Sequence, residues 1–324
     1  MLSIQEYRKA FLGYLAEKVN VKEPHNLYAP VEYMMQLGGK RIRPILTLMT
    51  AAIFDSNYKK ALDAALAIEM FHNFSLVHDD IMDDAPIRRG KLTVHKKWDI
   101  STAVLSGDAM LIMAYNFLEG YDEKTFKKLL VLFNKTAMQV CEGQQYDIDF
   151  ETREDVTLPE YMKMVEYKTA VLIGAAMKMG AIVAQSSMED AQAISNFGVN
   201  LGIAFQLQDD YLDVFGDPKT FGKQTGGDII ENKKTFLYLK ALEKAPRQTA
   251  QMLRYLFSIQ PPDATEKIKT VKNIYKETEA VKMLQKAITN YTEKAFKELD
   301  RISINEGKKA ILKQFGEDLM SRTI

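Results

Sequence analysis

Two short stretches concentrate carboxylates at one spacing: Asp79, Asp80, Asp83 and Asp84 in SLVHDDIMDD, and Asp209, Asp210 and Asp213 in FQLQDDYLDV. Residues four apart on a helix project from one face, a turn apart, so Asp79 with Asp83 and Asp209 with Asp213 form like-charged pairs. Such pairs destabilise the helix that carries them, and a bound cation relieves the repulsion. All-carboxylate sites suit hard ions; magnesium takes one or two carboxylates and fills its shell with waters and substrate phosphate oxygens. The chemistry expected is magnesium-assisted handling of a diphosphate. A single acidic cluster is equally well explained as a solvated helix end, but two copies, each closing an apolar-periodic segment, argue against that.

Basic residues supply the complementary half. GGKRIRP contributes Lys40, Arg41 and Arg43, and PIRRG contributes Arg88 and Arg89 just beyond Asp83; these hold phosphate by charge and by guanidinium forks. Of His25, His72, His78 and His95, His72 is assigned to the site, because seven residues before Asp79 is about two helical turns. His78 is expected to brace its helix. Cys141, the lone cysteine, cannot form an internal disulfide and is expected as a small buried side chain in a reducing cytoplasm.

The elements that must position these groups are helical. Apolar residues recur at intervals of three and four through most of the chain, and alternating runs are nearly absent, which predicts an all-α protein. Breakers at Pro24, Pro30, Gly38-Gly39, Pro44, Pro86, Gly107, Pro159, Gly216–Pro218, Gly226-Gly227 and Pro261-Pro262 divide it into about ten helices. With no Ser/Gly-rich connector or composition shift, one domain over residues 1–324 is expected. Lys plus Arg (43) equal Asp plus Glu (43), so no global field favours nucleic acid or an anionic membrane, although local basic clusters can still bind anions. The N-terminus is amphipathic rather than a signal peptide, and the apolar run from Ala170 to Ala184, broken by Lys178, is too short to span a bilayer, predicting a buried helix and no transmembrane segment.

Together these stretches resemble the polyprenyl synthetase family, the trans-isoprenyl diphosphate synthases that include farnesyl and geranylgeranyl diphosphate synthases. The resemblance covers nearly the whole chain, in order: GGKRIRP, HNFSLVHDDIMDDAPIRRG, SGDAML, EGQQYD, EYKTA, FQLQDDYLDVFGD and GKQTGGDIIENKKT. It implies an all-α, single-domain isoprenoid synthase fold, a helical bundle with the two aspartate motifs on facing helices across a deep apolar cavity, usually as a homodimer. By the same resemblance, Asp79, Asp83, Asp209 and Asp213 match magnesium ligands. Lys40, Arg43, His72 and Arg89 match the isopentenyl diphosphate site. Arg88, Lys168, Thr169, Gln206, Lys223 and Lys233 match the allylic diphosphate site, with Lys168, Thr169, Gln206 and Lys223 also acting in catalysis. Gln144 and Asp147 match supporting positions.

The implied reaction is condensation of isopentenyl diphosphate with an allylic diphosphate, releasing pyrophosphate. The family sets product length at the fifth residue before the first aspartate, here Phe74, followed by Ser75 and with Phe71 almost a turn deeper. One helical turn advances about 5.4 Å, so a bulky Phe74 favours products of twenty or fifteen carbons. The chain ends LMSRTI, without the strongly basic tail of some farnesyl enzymes. Three other readings fit less. A metal-dependent phosphohydrolase of the HD type leaves FQLQDDYLD and the paired arginines unemployed. A terpene cyclase needs no second diphosphate pocket. A non-catalytic partner subunit has no use for intact aspartates.

Overall fold

The computed structural model describes residues 1–55, 57–216 and 225–321. They form two compact units, each built from separate stretches of chain: Met1–Met138, Leu172–Ser195 and Arg301–Lys308 in the first, and Gln139–Val171, Asn196–Asp300 and Lys309–Ile324 in the second. The order is α1 (Ile4–Lys18), α2 (His25–Gln36), α3 (Ile42–Phe54), α4 (Leu62–Met82), β1 (Ile87–Arg88), β2 (Lys91–Leu92), α5 (Val94–Lys97), α6 (Ile100–Asn116), α7 (Glu123–Thr152) and α8 (Leu158–Val165). A π-helical turn over Glu166–Ala170 leads into α9 (Val171–Val183) and α10 (Met188–Phe215). Then follow α11 (Gly227–Ile230), α12 (Phe236–Lys244), α13 (Arg247–Leu256), α14 (Thr265–Glu277), α15 (Ala280–Asp300) and α16 (Glu306–Ser321). No helix among the described residues is long and apolar enough to cross a membrane.

The all-α expectation holds, apart from one two-residue-per-strand hairpin. The described residues carry sixteen α-helical segments rather than about ten, because several breaks occur without glycine or proline, as between α9 and α10 at residues 184–187. Some of the expected breakers lie inside helices. Pro30 sits within α2 and is buried there, so packing offsets its missing N–H. Pro44 is the third residue of α3, in the first turn, where a backbone N–H has no intrahelical acceptor anyway. Gly107 lies in the middle of α6 because a Cβ there would come within 2.3 Å of the His78 ring; the missing side chain lets α6 close on α4.

In the first unit, α4 starts as a helix apolar on every side: Ala64, Ala65, Leu66, Ala67, Ile68 and Met70 are fully buried, as expected of a helix at the centre of a bundle. Its second half, from His72 onward, is more open and carries the polar motif. Gly180 of α9 lies so near α3 that a Cβ would meet the Thr47 carbonyl oxygen at 2.2 Å. In the second unit, Leu207 and Val214 of α10 join Phe236, Leu237, Tyr275 and Leu284 in one apolar core.

Arg41 corrects the reading of GGKRIRP. It caps the start of α3 in a left-handed conformation (φ 56°). Its side chain is 1% exposed and pairs with Glu69 of α4 at 2.5 Å, while also donating to the Met35 carbonyl of α2. Asn73 donates to the same glutamate carboxylate at 3.2 Å. The guanidinium is thus spent on joining α2, α3 and α4 rather than on phosphate. Removing one partner of a buried pair strands the other charge, so Arg41→Ala should cost about 3–5 kcal/mol. It would appear as a lower urea midpoint with an unchanged slope; a midpoint within experimental scatter of the parent would show that the pair contributes little.

Candidate active site

Both acidic motifs sit at the C-terminal ends of long helices. Asp79 occupies the last turn of α4 and Asp83 is its C-cap; Asp209 and Asp213 lie in the last two turns of α10. Carbonyl groups make a helix C-terminus partially negative, so carboxylates there are unfavourably placed twice over, by the helix dipole and by each other. The fold retains them despite this cost.

The second aspartate of each motif has a different role from the first. Asp80 is 1% exposed and lies in the fork of Arg88, whose Nε donates to both carboxylate oxygens at 2.8 and 2.9 Å. Arg88 also reaches Asp79 at 3.4 Å. Asp210 is 3% exposed, accepts from the Tyr161 hydroxyl and from Gln206 Nε2 at 3.4 Å. Burial pushes its carboxyl well above the usual range, with Asp228 adding to the rise. Asp79 and Asp209 are half-buried, and Asp83 is exposed.

The first unit gathers the predicted isopentenyl diphosphate residues. Gly38 (φ 83°) and Gly39 (φ 110°) take left-handed conformations open to glycine, and a Cβ on Gly39 would lie 2.9 Å from the Arg89 guanidinium carbon. That guanidinium donates to the Gly38 carbonyl at 2.6 Å. Arg43 Nη1 lies 3.1 Å from His72 Nε2; because a guanidinium only donates, Nε2 must accept, and the imidazole is neutral. Burial, then the charges of Arg43, Arg89, Arg88 and Arg41, hold the His72 pKa well below its ordinary value. Burial and the Arg89 charge, against the pull of Glu69, bring Arg43 down to about 10, and burial followed by Arg41 lowers Arg89. Cations that depress one another's pKa form a ready anion site. Lys40 is exposed on the same loop.

Arg89 and Gly90 form the two-residue turn of the β1–β2 hairpin, both at positive φ (52° and 75°), as a primed turn requires. The turn sets Arg88 and Arg89 on opposite courses, one to Asp80 and the other to the glycine loop. Phe74 stacks edge-on with His78 at 4.8 Å and lies 5.5 Å from Phe71. Phe71 in turn packs on Phe133 of α7 at 5.3 Å, and Phe133 on Tyr115 of α6 at 4.9 Å. Ser75 turns its hydroxyl back to the His72 carbonyl at 2.8 Å, so Phe74 supplies the bulk at this level. His78 braces as expected, its Nε2 3.3 Å from the Val104 carbonyl.

In the second unit, Lys168 and Thr169, two of the residues matched to the allylic site, lie on the π-turn, whereas Arg88, a third, belongs to the first unit. Such a wide turn often marks a functional site. Gly143 of α7 makes room for it: a Cβ there would meet the Lys168 backbone nitrogen at 2.3 Å. Lys168 pairs with Asp147 at 2.5 Å, and the Thr169 hydroxyl donates to Gln206 Oε1 at 3.3 Å. Gln144 is half-buried on α7, and Lys233 is exposed and pairs with Glu231 at 2.8 Å. Lys223 lies outside the described residues.

Asp228 was not singled out in the sequence, although two glycines ahead of an acid at a helix start were a legible sign. Its backbone N–H donates to Asp213 Oδ2 at 3.0 Å, tying Asp213 to the start of α11. Burial, then Asp213, raises its carboxyl to about 7, with Asp147 adding to the rise. Tyr161 was also missed, since its role depends on contact with a residue far along the chain. Cys141 is exposed rather than buried, because it lies on the outward face of α7. No three His, Cys, Asp or Glu side chains among the described residues form a self-sufficient metal cage, which is compatible with an ion completed by water and substrate phosphate.

The polyprenyl synthetase profile matches residues 24–278. A geranylgeranyl diphosphate synthase from Methanosarcina mazei is 42% identical over 230 residues, 70% of this chain and 71% of that protein. A geranylfarnesyl diphosphate synthase from Natronomonas pharaonis is 37% identical over 260 residues, 75% of this chain and 76% of that one. A crystal structure of a geranylgeranyl pyrophosphate synthase superposes with a TM-score of 0.96 at 50% identity, covering 99% of each chain. The chain belongs to the polyprenyl synthetase family.

Proposed function

We propose that residues 1–324 act as a single catalytic domain, a short-chain trans-isoprenyl diphosphate synthase that joins isopentenyl diphosphate to allylic diphosphates and stops at geranylgeranyl diphosphate. The observation that carries this reading is a pairing of opposites. Burial and neighbouring arginine charge press down Arg43 and Arg89 around His72 even with Glu69 close by, and burial and neighbouring carboxylates raise Asp228 even with Lys233 close by. The first suits an anion such as a diphosphate, and the second a hard cation such as magnesium.

Asp79, Asp83 and Asp209 would hold magnesium, with Asp213 contributing from its anchored position. When bound, the ion stabilises charge on the departing diphosphate. Lys40, Arg43, Arg89 and neutral His72 bind the isopentenyl diphosphate. Arg88, Lys168, Lys223 and Lys233 serve the allylic diphosphate, while the oxygens of Thr169 and Gln206 stabilise the allylic cation left when its carbon–oxygen bond breaks. The isopentenyl double bond forms the new carbon–carbon bond, and the proton lost goes to pyrophosphate, so no protein base is needed. Phe74, backed by Phe71, ends the growing chain.

The same reading includes a homodimer. Val104, Leu105 and Ile112 of α6 and Val131 and Met138 of α7 are 38%, 59%, 59%, 63% and 62% exposed, apolar side chains that a second copy would cover. An exposed thiol at Cys141 suits a reducing cytoplasm.

Purified protein given isopentenyl diphosphate, magnesium and allylic starters of five, ten or fifteen carbons should yield a ladder ending at twenty. No elongation by folded, metal-supplied protein would favour a cyclase or a partner subunit instead. Asp79→Ala should lose turnover by at least a thousandfold, and retained activity would overturn its metal role. Phe74→Ala should lengthen the product by one or more five-carbon units; unchanged length would place the floor elsewhere. The raised Asp228 pKa carries a stability signature. In metal-free protein the folded state holds a proton between about pH 4 and 7 that the unfolded state has released, so stability falls as pH rises through that window. Asp228→Asn should flatten that fall and lose activity with magnesium; an unaltered pH–stability curve would show the carboxyl is not strained.

A further inference from the structure

The β1–β2 hairpin presents an apolar edge that the reaction does not use. Ile87 and Leu92 are direct cross-strand partners, so their side chains share one face of the ribbon, and they are 60% and 50% exposed. Arg88, the alternate residue, faces the other way to Asp80. An aromatic cluster is tied to this edge. The Tyr33 hydroxyl donates to the Leu92 carbonyl at 2.7 Å, Tyr33 meets Trp98 edge-on at 5.3 Å, and Lys97 Nζ lies 3.7 Å from the Tyr33 ring and 4.6 Å from Trp98. Both rings are half-buried.

The charge within the segment that carries this edge has one sign. The segment PIRRGKLTVHKKW, residues 86–98, contains Arg88, Arg89, Lys91, Lys96 and Lys97 and no acid. Arg88 and Arg89 are committed to Asp80 and the glycine loop, and Lys96 pairs with Asp84 at 2.6 Å. Lys91 and Lys97 have no carboxylate at ion-pair distance among the described residues. The nearby acids are Asp84, already paired, Asp83 of the first motif, and Asp99, which caps α6 through Thr102.

We propose that this edge docks the protein on an anionic lipid bilayer, with Ile87 and Leu92 entering the acyl boundary. Trp98 and Tyr33 sit at headgroup level, and Lys91 and Lys97 pair with lipid phosphate. Apolar tips flanked by amphipathic aromatics and lysines match the chemistry of a bilayer interface. Two aliphatic side chains are too small a patch for a stable protein partner, which needs about 1,200–2,000 Å² of buried surface. Apolar insertion combined with basic attraction is enough for reversible membrane attachment. The chain would lie on the bilayer without crossing it. This inference is independent of the reaction assigned above.

Cosedimentation of the full chain with vesicles tests it directly, without requiring activity. Wild type should bind phosphatidylglycerol vesicles at least tenfold better than phosphatidylcholine vesicles, and lose that preference in high salt. Ile87→Ser with Leu92→Ser should lower binding to the anionic vesicles at least tenfold, and Lys91→Glu should do so separately, each with the wild-type melting temperature. Three results would overturn the proposal: no wild-type binding to anionic vesicles, undiminished binding by both variants, or a serine double variant whose main change is a smaller sedimentation coefficient. The last would mean the edge packs against a second copy.

Discussion

Like charge held in place against its own repulsion is the constraint around which this molecule is organised. Each acidic motif needs aspartates on a helix end where neither the dipole nor the neighbouring carboxylate favours them. Each motif meets the need by the same division of labour. The second aspartate is buried and anchored, Asp80 by Arg88 and Asp210 by Tyr161, which fixes the rotation of the helix end. The first and last are thereby oriented without having to hold themselves. The faint sequence echo between the motifs is thus also an echo in structure, although the two anchors are chemically unlike.

Close backbone approach is the second requirement, and glycines provide it where no other residue fits. Gly39 leaves space for a guanidinium, Gly107 for an imidazole, Gly143 for the π-turn backbone and Gly180 for a carbonyl of α3. At three of these, Gly107, Gly143 and Gly180, the backbone is ordinary helix and the limit is room alone. At Gly39 the left-handed φ adds a second reason. Sequence punctuation suggests a break at Gly107, but its environment makes it a packing position.

The helical class and the two motif helices were legible in the sequence because they depend on local periodicity and on spacing within one helix, whereas most candidate site residues came from the resemblance of seven motifs in order. What was hidden depends on partners distant in the chain. Arg41 reads like its neighbours Lys40 and Arg43, and only the burial of Glu69, 28 residues on, separates a structural guanidinium from phosphate ligands. Asp228 went unnoticed because its tie to Asp213 joins residues fifteen apart in the chain. Pro30 reads as a break because its cost is local, while the packing that offsets it is not. Cys141 follows the burial habit of its residue type in expectation only, since α7 turns that position outward.

The π-turn at Glu166–Ala170 fixes more than the direction of two side chains. It holds one residue more than an α-helical turn would, and α9 follows it without interruption. Each residue added to or removed from a helix rotates everything beyond it by about 100°. Because α9 is buried along nearly its whole length, with only Lys178 half-exposed, no rotated setting would keep that lysine at the surface and Gly180 against α3. An insertion or deletion in this segment would therefore turn Lys178 and Gly180 off the faces they occupy, whereas a substitution leaves the register intact.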